Sequence, residues 1–213
     1  MTVRTHRHRV CAHISEMKVR CIPPLLLVAC VATASVATAC NREPNWRGTP
    51  VTPALAIPAL SFADSAGVPI TFRPAAGEAS MVFFGYTNCP DVCPTTLSDW
   101  TRVKAALGDN AKRVHFVFVS VDPERDTPAV AQRYATQFDP SFRGLSGNAA
   151  TTAAVQKAFG VASAKQASAS AGGYLVGHPA QTFLIDDQGH VRVSYAFGAG
   201  WDVMAADLKQ LLR

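Results

Sequence analysis

The sequence carries almost no excess charge once its first 39 residues are set aside. Residues 1–39 hold five of the 20 lysines and arginines and one of the 15 acids, so most of the net charge of +5 lies there. Residues 40–213 hold the other 15 basic and 14 acidic side chains. A protein that binds nucleic acid presents a basic surface to the phosphates. The nearly neutral body has no such excess, and we expect no nucleic-acid partner.

The sequence also lacks internal repeats and any break that would mark a second folded domain. Its 213 residues, 48% of them hydrophobic and 16% charged, are enough to build one domain around its own core. Residues 41–54 are polar and rich in proline, which is typical of a flexible tether. We therefore predict a tether at residues 41–54 and one domain over residues 55–213.

The N-terminus has the pattern of a bacterial targeting segment. A short basic region precedes an apolar, small-residue stretch over residues 22–39, and residues 37–40 (ATAC) end it at a cysteine. This order predicts a signal peptide of the lipoprotein type over residues 1–40, with Cys40 carrying the lipid. Residues 27–30 (LVAC) are an alternative lipidation motif, and an uncleaved anchor is the other alternative. We expect an exported, periplasmic protein that is held at the membrane through its N-terminus.

Cysteine is scarce in the expected folded domain. Four of the six cysteines fall in the predicted presequence or at its lipid site: Cys11, Cys21, Cys30 and Cys40. Only Cys89 and Cys93 remain, in a compartment that is oxidising. Two cysteines cannot build a disulfide framework, so they either pair with each other or bind something.

The hydrophobic patterns predict an α/β domain. A hairpin is indicated over residues 60–72, and buried strands are indicated over residues 80–85 and 114–121. Helices are predicted from Thr95, from Thr127 to Gln137 and over residues 149–159. A loop over residues 161–173, a second hairpin over residues 182–197 and a closing helix over residues 202–212 complete the pattern. Strand, helix and strand followed by a hairpin and a helix predict a thioredoxin-like fold, with an N-terminal β-hairpin and a helical insertion.

Cys89 and Cys93 are the most informative residues of the domain. They follow a buried strand and precede a helix, and residues four apart lie on one face of a helical turn. A helix N-terminus favours the thiolate, which is the form that attacks disulfides and binds metals. The spacing therefore leaves two functions open, redox chemistry or the binding of a soft metal.

His178 is the third candidate ligand. It precedes the strand predicted over residues 182–185, and in a thioredoxin-like fold the loop before this strand packs beside the cysteine motif. Two thiolates and an imidazole suit copper, or a zinc site that lacks one ligand. An ordinary surface histidine is the alternative. His115 and His190 are weaker candidates, because the first begins a buried strand and the second follows a turn.

Asp122 ends the second buried strand, at the edge of the sheet where the cysteine loop also emerges. Its carboxylate could orient that loop or contact a ligand of the site from outside. The alternative is a charged turn that leads into the cap of the next helix.

Three segments together resemble the Sco/SenC family of cytochrome c oxidase assembly proteins. They are residues 84–97 (FGYTNCPDVCPTTL), 119–128 (VSVDPERDTP), and 138–142 (FDPSF) with 144–147 (GLSG). The family usually has Asp before the histidine and Ser or Thr after it, where this chain has Gly177 and Pro179.

The resemblance covers roughly residues 55–213. It implies one copper ion, Cu(I) or Cu(II), bound by Cys89, Cys93 and His178. It also implies delivery of copper or of reducing equivalents to the copper A centre of cytochrome c oxidase, with subunit II or another copper chaperone as the partner.

An enzyme is the second hypothesis. As a thiol–disulfide oxidoreductase, the protein would use Cys89 and Cys93 as the attacking and resolving sulfurs to reduce an exported target. A peroxidase is less well supported, because no Pro-x-x-x-Thr-x-x-Cys context is present.

Overall fold

The structure is a computed structural model that describes residues 44–58, 61–63, 66, 68–71, 73–168 and 173–213. The predicted signal or lipoprotein peptide over residues 1–40, with its candidate lipid site Cys40, lies outside the described residues. Among the helices within them, none combines the length and the apolar composition that a bilayer crossing requires.

The described residues form ten β-strands, four α-helices and one 3-10 helix. The strands are β1 (Thr49–Ala56), β2 (Ser61–Ala63), β3 (Pro69–Thr71), β4 (Ala79–Gly85), β5 (Val114–Ser120), β6 (Arg143–Leu145), β7 (Ala164–Ala167), β8 (Tyr174–Gly177), β9 (Gln181–Ile185) and β10 (His190–Ala196). The helices are α1 (Val92–Leu107), the 3-10 helix (Gly108–Arg113), α2 (Pro128–Thr136), α3 (Ala149–Phe159) and α4 (Trp201–Leu211).

Six strands form the central sheet, in the order β1, β10, β9, β4, β5 and β6. Strand β4 pairs parallel with β5 and antiparallel with β9, and all seven of its residues are buried. A strand covered on both faces has no solvent-facing side, which is why its sequence is a nearly continuous apolar run.

The side chains of β4 alternate between two core clusters, one on each face of the sheet. Met81 and Phe83 pack with residues of α1, α2 and α4, whereas Val82 and Phe84 pack with residues of α3. The hairpin of β2 and β3 precedes this unit, and α2 and α3 lie between β5 and the final hairpin. The arrangement is the predicted thioredoxin-like α/β fold.

Helix α1 begins three residues earlier than predicted. It was expected from Thr95 and begins at Val92, so Cys93 lies in its first turn. The Asp91 side chain does not cap the helix, and the Cys93 amide instead donates to the sulfur of Cys89 at 3.4 Å. Capping rules rest on Ser, Thr, Asp and Asn oxygens, so a start capped by sulfur gives no sequence signal.

Helices α2 and α3 agree with the prediction because their caps follow those rules. The Thr127 hydroxyl accepts the Val130 amide at 3.3 Å before α2, and Asn148 accepts the Thr151 amide at 2.9 Å before α3. Gly160 ends α3 in the left-handed conformation, with φ of 65°.

Part of the predicted tether belongs to the folded domain. Strand β1 pairs antiparallel with β10, and the buried carboxylate of Asp207 accepts the amides of Arg47 at 2.8 Å and Gly48 at 2.9 Å. The prediction of a flexible tether is therefore wrong for residues 47–54, which are fixed to the domain. An edge strand held by backbone hydrogen bonds can be polar and carry proline, so its sequence resembles a linker.

The loop predicted over residues 161–173 contains a strand. Strand β7 pairs antiparallel with β8, and all four residues of β7 are exposed. A strand with no buried side chain, such as β7, has no apolar alternation, so hydrophobic patterning could not find it. The ribbon matters to the site because β8 ends at Gly177, the residue before His178.

Gly85 at the end of β4 fixes how closely the cysteine motif approaches the core. A Cβ atom at this position would lie 2.7 Å from the Cys93 sulfur, 2.8 Å from a ring carbon of Phe118 and 2.9 Å from a ring carbon of Phe83. All three neighbours are fully buried, so none can rotate into solvent.

Replacing Gly85 with alanine should destabilise the protein by about 1–3 kcal/mol, the usual cost of overpacking a close-packed core. Urea unfolding monitored by circular dichroism measures this change. Gly200→Ala is the control, because the added methyl group would meet only the carboxylate of Asp202, an exposed side chain that can turn away. Equal unfolding free energies for the two variants would contradict the packing argument.

Candidate metal centre

The two cysteines lie where β4 has ended and α1 begins, and they differ in exposure. The amide of Cys89 donates to the Tyr86 carbonyl at 3.2 Å, which closes a turn directly after β4. Cys89 is half-buried, whereas Cys93 has no exposed surface. Both are free thiols in the structure. One sulfur can therefore meet a partner molecule while the other is shielded by the core.

The two sulfurs differ in protonation as well. A hydrogen bond from the Cys93 thiol, together with the amides of Asp91 and Cys93, lowers the pKa of Cys89 to about 5 despite partial burial. The same hydrogen bond, together with burial, raises the pKa of Cys93. At neutral pH the pair therefore consists of an accessible thiolate, Cys89, and a buried thiol that donates to it, Cys93.

His178 lies beside this pair, as predicted from its place before β9. Its ring meets Phe83 and Tyr86 in edge-to-face contacts, with centroids 6.2 and 6.1 Å apart. Its positive charge, when protonated, contributes to lowering the pKa of Cys89. The ring atom Nδ1 lies 3.1 Å from the Pro179 carbonyl, which can only accept, so Nδ1 carries the proton when this bond forms. In that neutral tautomer the lone pair is on Nε2.

The three side chains are not assembled into a finished metal site. Within the described ranges, no group of three His, Cys, Asp or Glu side chains is placed so that it could hold a metal ion. The two sulfurs are adjacent. The His178 ring contacts Phe83 and Tyr86, and its charge acts on Cys89. The donor set of two sulfurs and an imidazole nitrogen fits a soft metal in its chemistry.

The other two histidines of the described residues are engaged elsewhere. His115 Nε2 lies 2.7 Å from the carboxylate of Glu78, and His190 Nδ1 lies 3.7 Å from that of Asp186. Glu78 and Asp186 lie outside the cysteine loop. From the sequence, both histidines were weaker ligand candidates than His178.

Asp126 holds the cysteine loop, a role the sequence suggested for Asp122. The buried Asp126 carboxylate accepts the Thr87 amide at 3.0 Å, the Thr87 hydroxyl at 2.6 Å and the Ser120 hydroxyl at 2.5 Å. The Asp122 carboxylate instead accepts Arg125 Nε and, at 2.7 Å, the hydroxyl of Tyr174. The segment had been identified correctly, but nothing in its sequence distinguishes which of its two aspartates faces the loop.

Tyr86 is a second residue that the sequence did not indicate. Its ring contacts His178, and the guanidinium of Arg125 lies 5.6 Å from its centroid. Burial raises the pKa of Tyr86, while the backbone of Val176 in β8 acts to lower it, so the hydroxyl lies close to β8. Tyr86 therefore joins the cysteine loop to the strand that leads to His178.

Two solved structures are similar to this chain over most of its length. ScoI of Bradyrhizobium japonicum, solved with copper bound, is 37% identical with a TM-score of 0.65, and the match covers 73% of this chain and 99% of that one. Sco1 of Thermus thermophilus, solved in solution as the apo protein, is 36% identical with a TM-score of 0.68, covering 78% and 97%.

The sequence comparisons agree with the structural ones. A SCO2-like protein of Rickettsia prowazekii is 34% identical over 138 residues, which are 64% of this chain and 65% of that protein. The chain thus spans less than two thirds of the length of the first curated relatives that it matches. The family model described as SCO1/SenC matches residues 51–213. Because this match covers well over half of the sequence, the chain belongs to the SCO1/SenC family.

Proposed function

We propose that the protein is a copper metallochaperone that assists assembly of the copper A centre of cytochrome c oxidase, and that it binds one copper ion through Cys89, Cys93 and His178. The observation that carries this proposal is an accessible thiolate and a second sulfur, adjacent at the start of α1, with an imidazole beside them. The copper-bound state of ScoI, at 37% identity, supports copper as the metal.

The ligand set suits both oxidation states of copper. Two cysteine sulfurs are soft donors that hold Cu(I), and an imidazole nitrogen extends the site to Cu(II). Cys89 is already ionised at neutral pH, whereas Cys93 must release its proton before its sulfur can coordinate. Because Cys93 is buried, its thiol releases the proton only when the positive charge of the copper ion stabilises the thiolate that forms.

The exposure of Cys89 suits handover to another protein. Cys93 is enclosed by the core, but Cys89 is half-buried and can be approached by the thiolate of an acceptor. A site with one accessible ligand can release its cargo by ligand exchange, one bond at a time. Family membership suggests subunit II of cytochrome c oxidase, or another copper chaperone, as the acceptor.

The location follows from the same proposal. The basic and apolar pattern of residues 1–40 is that of an exported lipoprotein, which suits a domain outside the cytoplasm. We infer a periplasmic domain held at the membrane by lipid on Cys40 or by an uncleaved segment. Detection of a diacylglyceryl group on Cys40 by mass spectrometry separates these two anchors.

The difference between the two cysteines also favours a thiol–disulfide oxidoreductase as a second candidate function. The Cys89 thiolate would attack a target disulfide to form a mixed disulfide and expel one target thiolate. Cys93, after losing its proton, would then attack the Cys89 sulfur, release the second target thiol and leave a Cys89–Cys93 disulfide. Two electrons pass to the target in this exchange.

Replacing His178 with alanine should abolish the absorption that arises from charge transfer between cysteine sulfur and Cu(II), while Cu(I) binding survives weakly. The reason is that the two sulfurs suffice for Cu(I), whereas Cu(II) requires the nitrogen ligand. Visible absorption of the Cu(II)-loaded protein measures the first quantity, and competition with a Cu(I) chelator measures the second. His190→Ala is the matched control, and an unchanged Cu(II) spectrum in His178→Ala would remove His178 from the site.

Copper content and disulfide turnover separate the two candidate functions. Tight stoichiometric copper with slow reduction of a small disulfide supports the chaperone. Fast turnover that His178→Ala does not affect supports the reductase.

In the reduced, copper-free protein, iodoacetamide should label Cys89 faster than Cys93 by at least about tenfold, because the thiolate is the nucleophile. The pKa of Cys89 is lowered, so its labelling rate should stay high at pH 7 and fall by half only near pH 5. Peptide mass spectrometry resolves the two sites. Cys93→Ala removes the main hydrogen bond and should move the midpoint up towards the ordinary value of about 8.5. A midpoint near 8.5 in the unsubstituted protein would refute the assigned protonation states.

A further inference from the structure

A continuous set of buried and partly buried hydrogen bonds connects the cysteine loop to β8, the strand that leads to His178. It begins at Thr87, two residues before Cys89, whose amide and hydroxyl both donate to Asp126. Asp126 also accepts the Ser120 hydroxyl at 2.5 Å, and that hydroxyl oxygen accepts the amide of Asp122 at 3.0 Å. The path therefore runs from the cysteine loop to Asp122 without an intervening gap.

From Asp122 the set continues into β8. One carboxylate oxygen of Asp122 accepts the Tyr174 hydroxyl at 2.7 Å, and the other accepts Nε of Arg125. The Arg125 guanidinium lies 3.6 Å from the centroid of the Tyr174 ring and donates to the Tyr174 carbonyl at 3.0 Å. Tyr174 is the first residue of β8, which ends at Gly177, so this contact holds the start of the segment that presents His178.

The same guanidinium also faces the cysteine loop, since it lies 5.6 Å from the centroid of Tyr86. Arg125 therefore sits between the aromatic ring that follows β4 and the ring that begins β8. Two independent links, one through Asp126 and one through Tyr86, join the two halves of the candidate site.

Burial makes this network stiff. Asp122 is 2% exposed and Asp126 is 1% exposed, and each carboxylate oxygen is bonded to a donor. A buried acceptor that loses its donor pays the full desolvation penalty, so displacement of either end is opposed. The network can therefore transmit the position of one loop to the other.

We propose that Asp122, Arg125 and Tyr174 are positioning residues, which hold the His178 segment at a set distance from the Cys89–Cys93 loop. The inference rests on the proposed function, in which Cys89, Cys93 and His178 bind one copper ion. Within the described residues, the His178 ring is placed by its contacts with Phe83 and Tyr86 and by its bond to the Pro179 carbonyl. Its position relative to the sulfurs then depends on how β8 is anchored, and Tyr174 is that anchor.

Tyr174→Phe is the sharpest test, because it removes one hydroxyl and keeps the ring stacked on Arg125. Tyr195→Phe is the matched control, since it removes a tyrosine hydroxyl that donates to the buried Asp207 at 3.0 Å, directed towards α4. We expect Tyr174→Phe to lower Cu(II) affinity about tenfold, in the range found for residues that orient metal ligands. Cu(I) affinity, which depends on the sulfurs, should change by less than about twofold under the same principle. Tyr195→Phe should leave the ratio of the two affinities unchanged.

Amide hydrogen exchange of the copper-free full chain gives a readout that does not depend on the metal. Tyr174→Phe should speed exchange in residues 174–177 and also in residues 86–89, because the two are joined through Asp122 and Asp126. Thr87→Val approaches the network from the other end and should speed exchange in the same two segments. Tyr195→Phe should affect neither. Faster exchange confined to the segment that holds the substitution would overturn the proposal, as would an unchanged ratio of Cu(II) to Cu(I) affinity in Tyr174→Phe.

His178→Ala separates failure of this inference from failure of the proposed function. If His178→Ala lowers Cu(II) affinity and Tyr174→Phe does not, the ligand set stands and the positioning role is overturned. If His178→Ala leaves Cu(II) affinity unchanged, the ligand set itself is wrong and the positioning of a copper ligand is overturned with it. If both lower Cu(II) affinity and exchange rises in both segments, the proposal is supported.

Discussion

The sulfur of Cys89 accepts the backbone amide of Cys93, and the first turn of α1 is built on that contact. Asp91, the residue before the helix, supplies no side-chain cap, so the thiolate takes the place of an oxygen acceptor. The free amides and the positive end of the helix dipole favour negative charge at this point. The start of the helix and the ionisation of Cys89 therefore stabilise each other. Whatever moves α1 also changes the chemistry of the pair.

The sheet explains why the three candidate ligands meet. Strands β4 and β5 are parallel, so their carboxyl ends lie at one edge, where the cysteine loop and the segment of Asp122 and Asp126 emerge. Strand β9 is antiparallel to β4, with Thr182 opposite Phe83, so its amino end lies at that same edge. His178 lies three residues before Gln181, the first residue of β9, and this topology brings it to the same edge as the cysteines. A residue 85 positions further along the chain thus becomes their neighbour through strand direction alone.

Features that leave a mark on the nearby sequence could be predicted. Features that depend on contacts between distant segments could not. The buried strands β4 and β5 were evident as apolar runs, and helices were predicted over residues 127–137 and 149–159, where α2 and α3 lie. Strands β1 and β7 are mostly or wholly exposed and are held by backbone pairing, which leaves no mark on side-chain patterning. Cys89, Cys93 and His178 could be singled out as candidates because thiol and imidazole chemistry is particular to few residue types. Asp126 and Tyr174 were missed because carboxylates and hydroxyls are common, and only the three-dimensional contacts show which of them face each other.

The two candidate functions make different demands on the same two sulfurs, and protonation decides which demand is met. A reductase needs one thiolate to attack and one thiol held in reserve, which is the state favoured in the metal-free pair. A copper site needs both sulfurs ionised, so the asymmetry that suits reduction must be lost when the metal is held. On the proposed function, the protein would then reduce a target's cysteines only while it carries no copper, and it would deliver copper only after Cys93 has lost its proton. Since an acceptor must itself be reduced before it can take copper, the two activities would follow one another at a single site.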